Sequence, residues 1–167
     1  MRLSANRMQT LFRERLLPTA ADHVFPGIPE LLSALRASGR SLAVITNRSR
    51  ASAEDLLDAA GLLAEFDLVV GGWMTPRGKP HPDPALLAAR LLAVPPEDCV
   101  VVGDAVNDTV MAGSAGMRAV GVTYGVDRFE RLLAAGAGWV AGSVDKVRSL
   151  LFAWRAAEGG VSCCSRQ

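Results

Sequence analysis

Apolar and polar positions alternate along the chain in two rhythms. Short unbroken apolar runs, SLAVIT (Ser41–Thr46), FDLVV (Phe66–Val70), CVVV (Cys99–Val102), Ala119–Val122 and Gly138–Ala141, are separated by stretches with helical spacing. The helical stretches lie at about 3–17, 28–38, 51–60, 83–92, 107–115, 128–135 and 144–154. In the second, Ile28, Leu31, Leu32 and Leu35 fall on one face and Gly39 supplies the stop. Pro18 is expected to end the first stretch, and Asp83 with Pro84 to open the fourth. Strands that alternate with helices predict an α/β fold with a parallel sheet covered on both faces. The strands read as continuous apolar runs, as strands buried on both sides do. Ligands of such sheets bind beyond the C-terminal ends of the strands, so the polar residues there are the candidates for chemistry.

Three groups meet that condition. Thr46-Asn47 closes the first strand, Lys79 lies in the Gly/Pro-rich loop after the second, and Gly103-Asp104-Ala105-Val106-Asn107-Asp108 follows the third. A hydroxyl, an ammonium and a pair of carboxylates are thereby predicted to line one pocket at one edge of the sheet. Taken singly, a threonine at a strand end is a helix cap, a loop lysine is solvated, and two aspartates are a turn and a cap. Together, on three successive strand ends, they suit phosphoryl transfer. Helix-start amides and a hydroxyl hold phosphate oxygens, lysine neutralises charge, and carboxylate oxygens suit magnesium.

Composition narrows the setting. The chain has 167 residues, half of them hydrophobic, and a net charge of +1, which suits one domain and argues against a nucleic-acid partner. No apolar run is long enough to cross a membrane. Three cysteines, Cys99, Cys163 and Cys164, make no disulfide framework, so a cytoplasmic location is expected. Cys163-Cys164 read as free thiols rather than a metal site, and Gly71-Gly72 lacks dinucleotide-loop spacing. Arginine outnumbers lysine 16 to 2, which draws attention to Lys79.

Four segments, VFPGIPELLSALRASG (24–39), VITNRS (44–49), GKPHPDP (78–84) and VVGDAVNDTVMAGSAGM (101–117), resemble the haloacid dehalogenase (HAD) superfamily of phosphatases, above all its phosphoglycolate phosphatase branch. The resemblance covers about residues 11–151. It implies a three-layer Rossmann-like core, a small phosphorylated metabolite as substrate, and magnesium-dependent transfer through an aspartyl-phosphate. Residue by residue it implies that Thr46 bonds the phosphoryl oxygen with Asn47 beside it. Lys79 pairs with the phosphoryl group and the nucleophile, Asp104 coordinates magnesium, and Asp108 orients metal-bound water or Lys79. His81 is implied to be structural.

The chain departs from the family in one respect. The family's nucleophile lies in a DxDxT motif on its first strand, and no DxD occurs here. Asp22, the one aspartate before Thr46, follows no apolar strand. Residues 1–23 resemble the end of a helical cap, 24–157 the core and 158–167 a tail, so the core is expected to be N-terminally incomplete. The family's missing strand lies between those matching 41–46 and 99–102. These two are expected to close the gap or to keep unpaired edges. The 3–17 helix is expected to expose an apolar face suited to self-association. A phosphate-binding or interaction protein without catalysis is the alternative reading. A receiver-like domain with Asp104 as phosphoacceptor is disfavoured, because no acidic pair precedes it.

Overall fold

A computed structural model describes residues 12–158, with the side chains of Arg13 and of 155–158 excluded. Residues 3–11 of the expected first helix lie outside the described residues. Over 12–17 the expectation needs correcting. Phe12–Leu16 is π-helical, and Leu17–His23 continues as a 3-10 helix instead of stopping at Pro18. Proline has no N–H for an α-type ladder, and the backbone tightens past it.

The chain then enters α1 (Ile28–Ala37) through Gly27 at φ 85°, with Pro29 in the first turn. Its Ile28, Leu31, Leu32 and Leu35 are buried as the spacing predicts. Gly39 at φ 78° ends it, and the Arg40 N–H reaches back to the Leu35 carbonyl. Strand β1 (Ala43–Ser49) starts two residues later than expected and runs three further. Just before it, Leu42 N–H donates to Asp67 Oδ2 at 2.8 Å, and Asp67 N–H donates to the Leu42 carbonyl. After α2 (Arg50–Ala59), β2 covers Leu68–Gly72. Then follow α3 (Asp83–Leu91), β3 (Val100–Gly103), α4 (Val106–Ser114), β4 (Arg118–Val122), α5 (Phe129–Ala134), β5 (Trp139–Ala141) and α6 (Val144–Glu158).

All strand pairs are parallel, and the layers are those of an α/β sandwich. On one face Ala43, Ile45, Val70, Val101 and Ala119 pack with Ala85, Ala88 and Ala89 of α3 and with Met111 and Ala112 of α4. On the other, Leu31 and Leu35 of α1 and Val147 and Leu151 of α6 cover Val100, Val102, Val120 and Val122. Neighbouring residues of a strand thus enter opposite core layers, the period-2 rule of extended backbone.

The five strands form two sheets. One contains β1 and β2, the other β3, β4 and β5 in that order. Of the two outcomes expected for β1 and β3, the second is found: the strands share a core but not a ladder, and each keeps a free edge among the described residues. A cavity of about 250 Å³ runs along β1 past Val44 and Thr46. Another, of about 160 Å³, runs along β3 past Val102, Gly103 and Asp104, and both reach His23.

Candidate active site

The ladder between β1 and β2 is regular from Ala43↔Leu68 to Ile45↔Val70 and then slips, resuming at Ser49↔Gly72. Thr46, Asn47 and Arg48 therefore stand outside the pairing, where an irregular strand frees groups for other partners. Thr46 is buried, and its Oγ1 accepts the Arg48 N–H at 3.1 Å. The hydroxyl keeps its own proton to donate.

Asn47 turns toward the next loop. Its Oδ1 accepts the Lys79 N–H at 2.9 Å and its Nδ2 donates to the Lys79 carbonyl at 3.2 Å. This two-point clamp fixes the backbone of Lys79 against the end of β1. The Lys79 ammonium then donates to Asp108 Oδ1 at 2.7 Å, with both side chains almost wholly buried. Two of its three protons remain for another acceptor. Asp108 sits in the first turn of α4, where Oδ2 accepts the Ala105 N–H at 3.3 Å, one half of a capping box. Gly103 makes room for it: a Cβ there would lie 2.4 Å from Asp108 Cβ.

Asp104 is half-buried and is held from the side of β4. Val126 N–H donates to its Oδ2 at 3.1 Å, and Asp127 N–H donates to its carbonyl at 2.9 Å. A Cβ at Gly125 would lie 2.1 Å from Asp104 Oδ2, so only glycine permits this approach. Asp127, absent from the sequence reading, is buried. Its Oδ2 accepts the Val106 N–H at the start of α4 at 2.9 Å, and Oδ1 pairs with Arg131. The rule that selected the other residues also covers it, because Asp127 follows the fourth strand. His81 is exposed and bonds through its N–H to the Gly78 carbonyl. In the same loop Arg77 donates twice to Asp83, holding that carboxyl below its ordinary range.

The sequence-derived residues thus share the C-terminal edge of the strands. Lys79 contacts both Asp108 and Asn47, Thr46 precedes Asn47, and Asp104 opens the turn into the helix that carries Asp108. The single shared pocket needs correcting, however. Thr46 lines the cavity along β1 and Asp104 the cavity along β3, because the two sheets are separate. A magnesium site does not follow from these residues. Both Asp108 oxygens are engaged, and one Asp104 oxygen accepts Val126. Among the described residues no three His, Cys, Asp or Glu side chains gather to hold a metal. One free carboxylate oxygen falls short of what that ion requires.

A three-layer parallel α/β fold with a buried Lys–Asp pair and a strand-end threonine defines a class, and comparison with known proteins names it. The model of the haloacid dehalogenase-like hydrolases matches residues 7–116, and the chain belongs to that family. It is 45% identical over 132 residues to a probable phosphatase, IndB, of Dickeya dadantii, covering 79% of this chain and 57% of the relative. It is 45% identical over 101 residues to the phosphoglycolate phosphatase of Nitrosospira multiformis, covering 60% and 44%. The chain spans about half the length of these curated relatives. A HAD family hydrolase of Deinococcus radiodurans, solved with bound phosphate and sodium, superposes with a TM-score of 0.75 at 29% identity, covering 90% of this chain and 69% of that one. Among the described residues no helix is long and apolar enough to cross a membrane.

Proposed function

We propose that the chain carries the phosphate-binding side of a phosphomonoester hydrolase of the phosphoglycolate phosphatase type, acting in the cytoplasm on a small phosphorylated metabolite. By itself it is inactive. The observation that carries this reading is the buried Lys79–Asp108 pair, with the Lys79 backbone clamped by Asn47, the residue that follows Thr46. An ammonium fixed in this way keeps two protons for a further acceptor at no further conformational cost, which is what stabilisation of a transferring phosphoryl group needs. Thr46 donates its proton to a phosphoryl oxygen, Lys79 neutralises charge, and Asp108 and Asn47 position Lys79. No magnesium role is assigned to Asp104, whose single free carboxylate oxygen has no further ligand gathered beside it among the described residues.

Inactivity follows from the missing attacking group. The covalent route requires a carboxylate that attacks phosphorus, and no DxD motif supplies one. The seam between β1 and β3 is the place from which such a carboxylate would act. The test is a phosphate-release assay with magnesium on the 167-residue chain, using phosphoglycolate and a chromogenic phosphate ester beside the K79A/D104N variant. Rates equal to background are expected. Robust turnover abolished in the variant would overturn the assignment of inactivity. Turnover that persists in the variant would overturn the site itself.

A further inference from the structure

We propose that Asp127 is a positioning residue of this site: it engages the first helical N–H of α4 and so leaves the Asp108 carboxylate to Lys79. The inference rests on the phosphate-site reading above and adds a residue to it. Helix α4 begins without a cap of its own, because its N-cap residue, Ala105, has no side-chain acceptor. The Val106 N–H is one of the donors that such a start leaves without an intrahelical partner. Asp127 supplies the acceptor from 21 residues away, its Oδ2 taking that N–H at 2.9 Å. Its own N–H donates to the Asp104 carbonyl at 2.9 Å, so one residue ties the loop after β4 to the turn before α4 at two points. The carboxyl is buried, and its Oδ1 pairs with Arg131, whose side chain is largely exposed. A buried carboxylate is unfavourable unless its oxygens are engaged, and here each has a partner.

The bond matters because of what stands two residues further on. Asp108, in the same first turn, gives Oδ2 to the Ala105 N–H at 3.3 Å and Oδ1 to the Lys79 ammonium at 2.7 Å. An acidic side chain in the first turn of a helix is itself drawn to unsatisfied N–H groups there. Without Asp127, the Val106 N–H competes with Lys79 for Asp108, and the ammonium loses the acceptor that fixes it. With Asp127 in place that donor is engaged, and Asp108 serves Lys79. Asn47 thus locates one partner of the ion pair, through the Lys79 backbone, and Asp127 locates the other, through the start of α4.

The experiment uses the full chain, in which Lys79 and Lys146 are the two lysines and Lys146 is exposed. Nitrogen-labelled lysine therefore gives two ammonium resonances, and that of Lys79 reports on its pairing with Asp108. Methyl phosphate, titrated by phosphorus NMR, reads the phosphate site. D127A is expected to move the Lys79 resonance toward that of Lys146 and to weaken methyl phosphate about tenfold, the worth of one hydrogen bond to a charged group. D127N keeps an oxygen for the Val106 N–H and loses only the exposed Arg131 ion pair, so the resonance should stay in place and the affinity within about twofold of wild type. V106P removes the N–H itself, at the first helical position, which tolerates proline. V106P/D127A should therefore recover both the Lys79 resonance and the affinity, which a merely structural role for Asp127 does not predict. An unmoved Lys79 resonance in D127A overturns the proposal, as does a loss that V106P does not restore. Should D127A fail to fold, V106P/D127A decides alone: a wild-type Lys79 resonance upholds the proposal, and a shifted resonance or an unfolded protein overturns it. A wild type that binds no methyl phosphate overturns the phosphate-site reading, while the Lys79 resonance still decides the role of Asp127.

Discussion

Neutralising one member of the Lys79–Asp108 pair should destabilise the fold far more than neutralising both. The charged atoms are 2.7 Å apart, and the side chains are 3% and 2% exposed. At that distance and an effective dielectric of about 20, the attraction is ~6 kcal/mol. Withdrawing two ions from water costs several kcal/mol each, so the net worth of the pair is small. A single change removes the attraction and keeps one desolvated charge. K79M leaves Asp108 with only the Ala105 N–H, and D108N leaves an ammonium facing an amide. Each is expected to lose about 3–5 kcal/mol. For a chain of this size that lowers Tm by roughly 6–20 °C. The K79M/D108N double variant keeps the shape of the site without a buried charge and should recover at least about 2 kcal/mol relative to the sum of the singles. Urea unfolding followed by circular dichroism measures all four proteins. Strictly additive losses would refute the argument, because two groups that do not interact cannot share a buried, low-dielectric site at this distance. Phosphate binding should be lost in the double variant even where stability returns.

Calorimetric titration with magnesium in the absence of phosphate should give little heat, since Asp104 offers one free carboxylate oxygen; micromolar affinity would show that further carboxylates complete the site. G125A should drive its Cβ into Asp104 Oδ2 and cost about 1–3 kcal/mol, read as a fall in the urea midpoint, with the Val126 amide resonance shifted. Burial raises the Cys99 thiol to about 11 from an ordinary value of 9.0. The native state thus holds this proton more tightly than the unfolded chain, so its contribution is intact below pH 9 and is lost as pH rises toward 11. The pH 9–11 decline in urea-derived stability should flatten in C99A, and alkylation of Cys99 at pH 8, followed by peptide mass spectrometry, should require unfolding.

Much of this architecture was legible in the residues themselves. Unbroken apolar runs such as VVV at 100–102 can lie only between two covered faces, which predicted a parallel sheet with helices on both sides. Glycine and proline marked the helix ends because their backbone restrictions act locally, as at Gly39. Thr46, Lys79, Asp104 and Asp108 stood out because each follows a strand, and the C-terminal edge of parallel strands is where such groups converge. Asp127 obeys the same rule, but its loop carries no distinctive spacing to mark it. Side-chain chemistry and short-range conformation determine features of this kind, and they need no knowledge of which strand lies beside which.

What only the tertiary structure decided depends on partners distant in sequence. Asn47 is committed to the Lys79 backbone, 32 residues away, so its amide positions the lysine. Asp67 takes the Leu42 N–H just before β1, a bond invisible in the apolar run that begins at Leu42. Thr46 and Asp104 fall into separate cavities because β1 and β3 belong to different sheets. Periodicity says that a strand is buried, but a hydrogen-bond ladder requires two strands at one spacing. Here, among the described residues, β1 pairs with β2 and β3 with β4, and the two sheets meet through a shared apolar core rather than through a ladder.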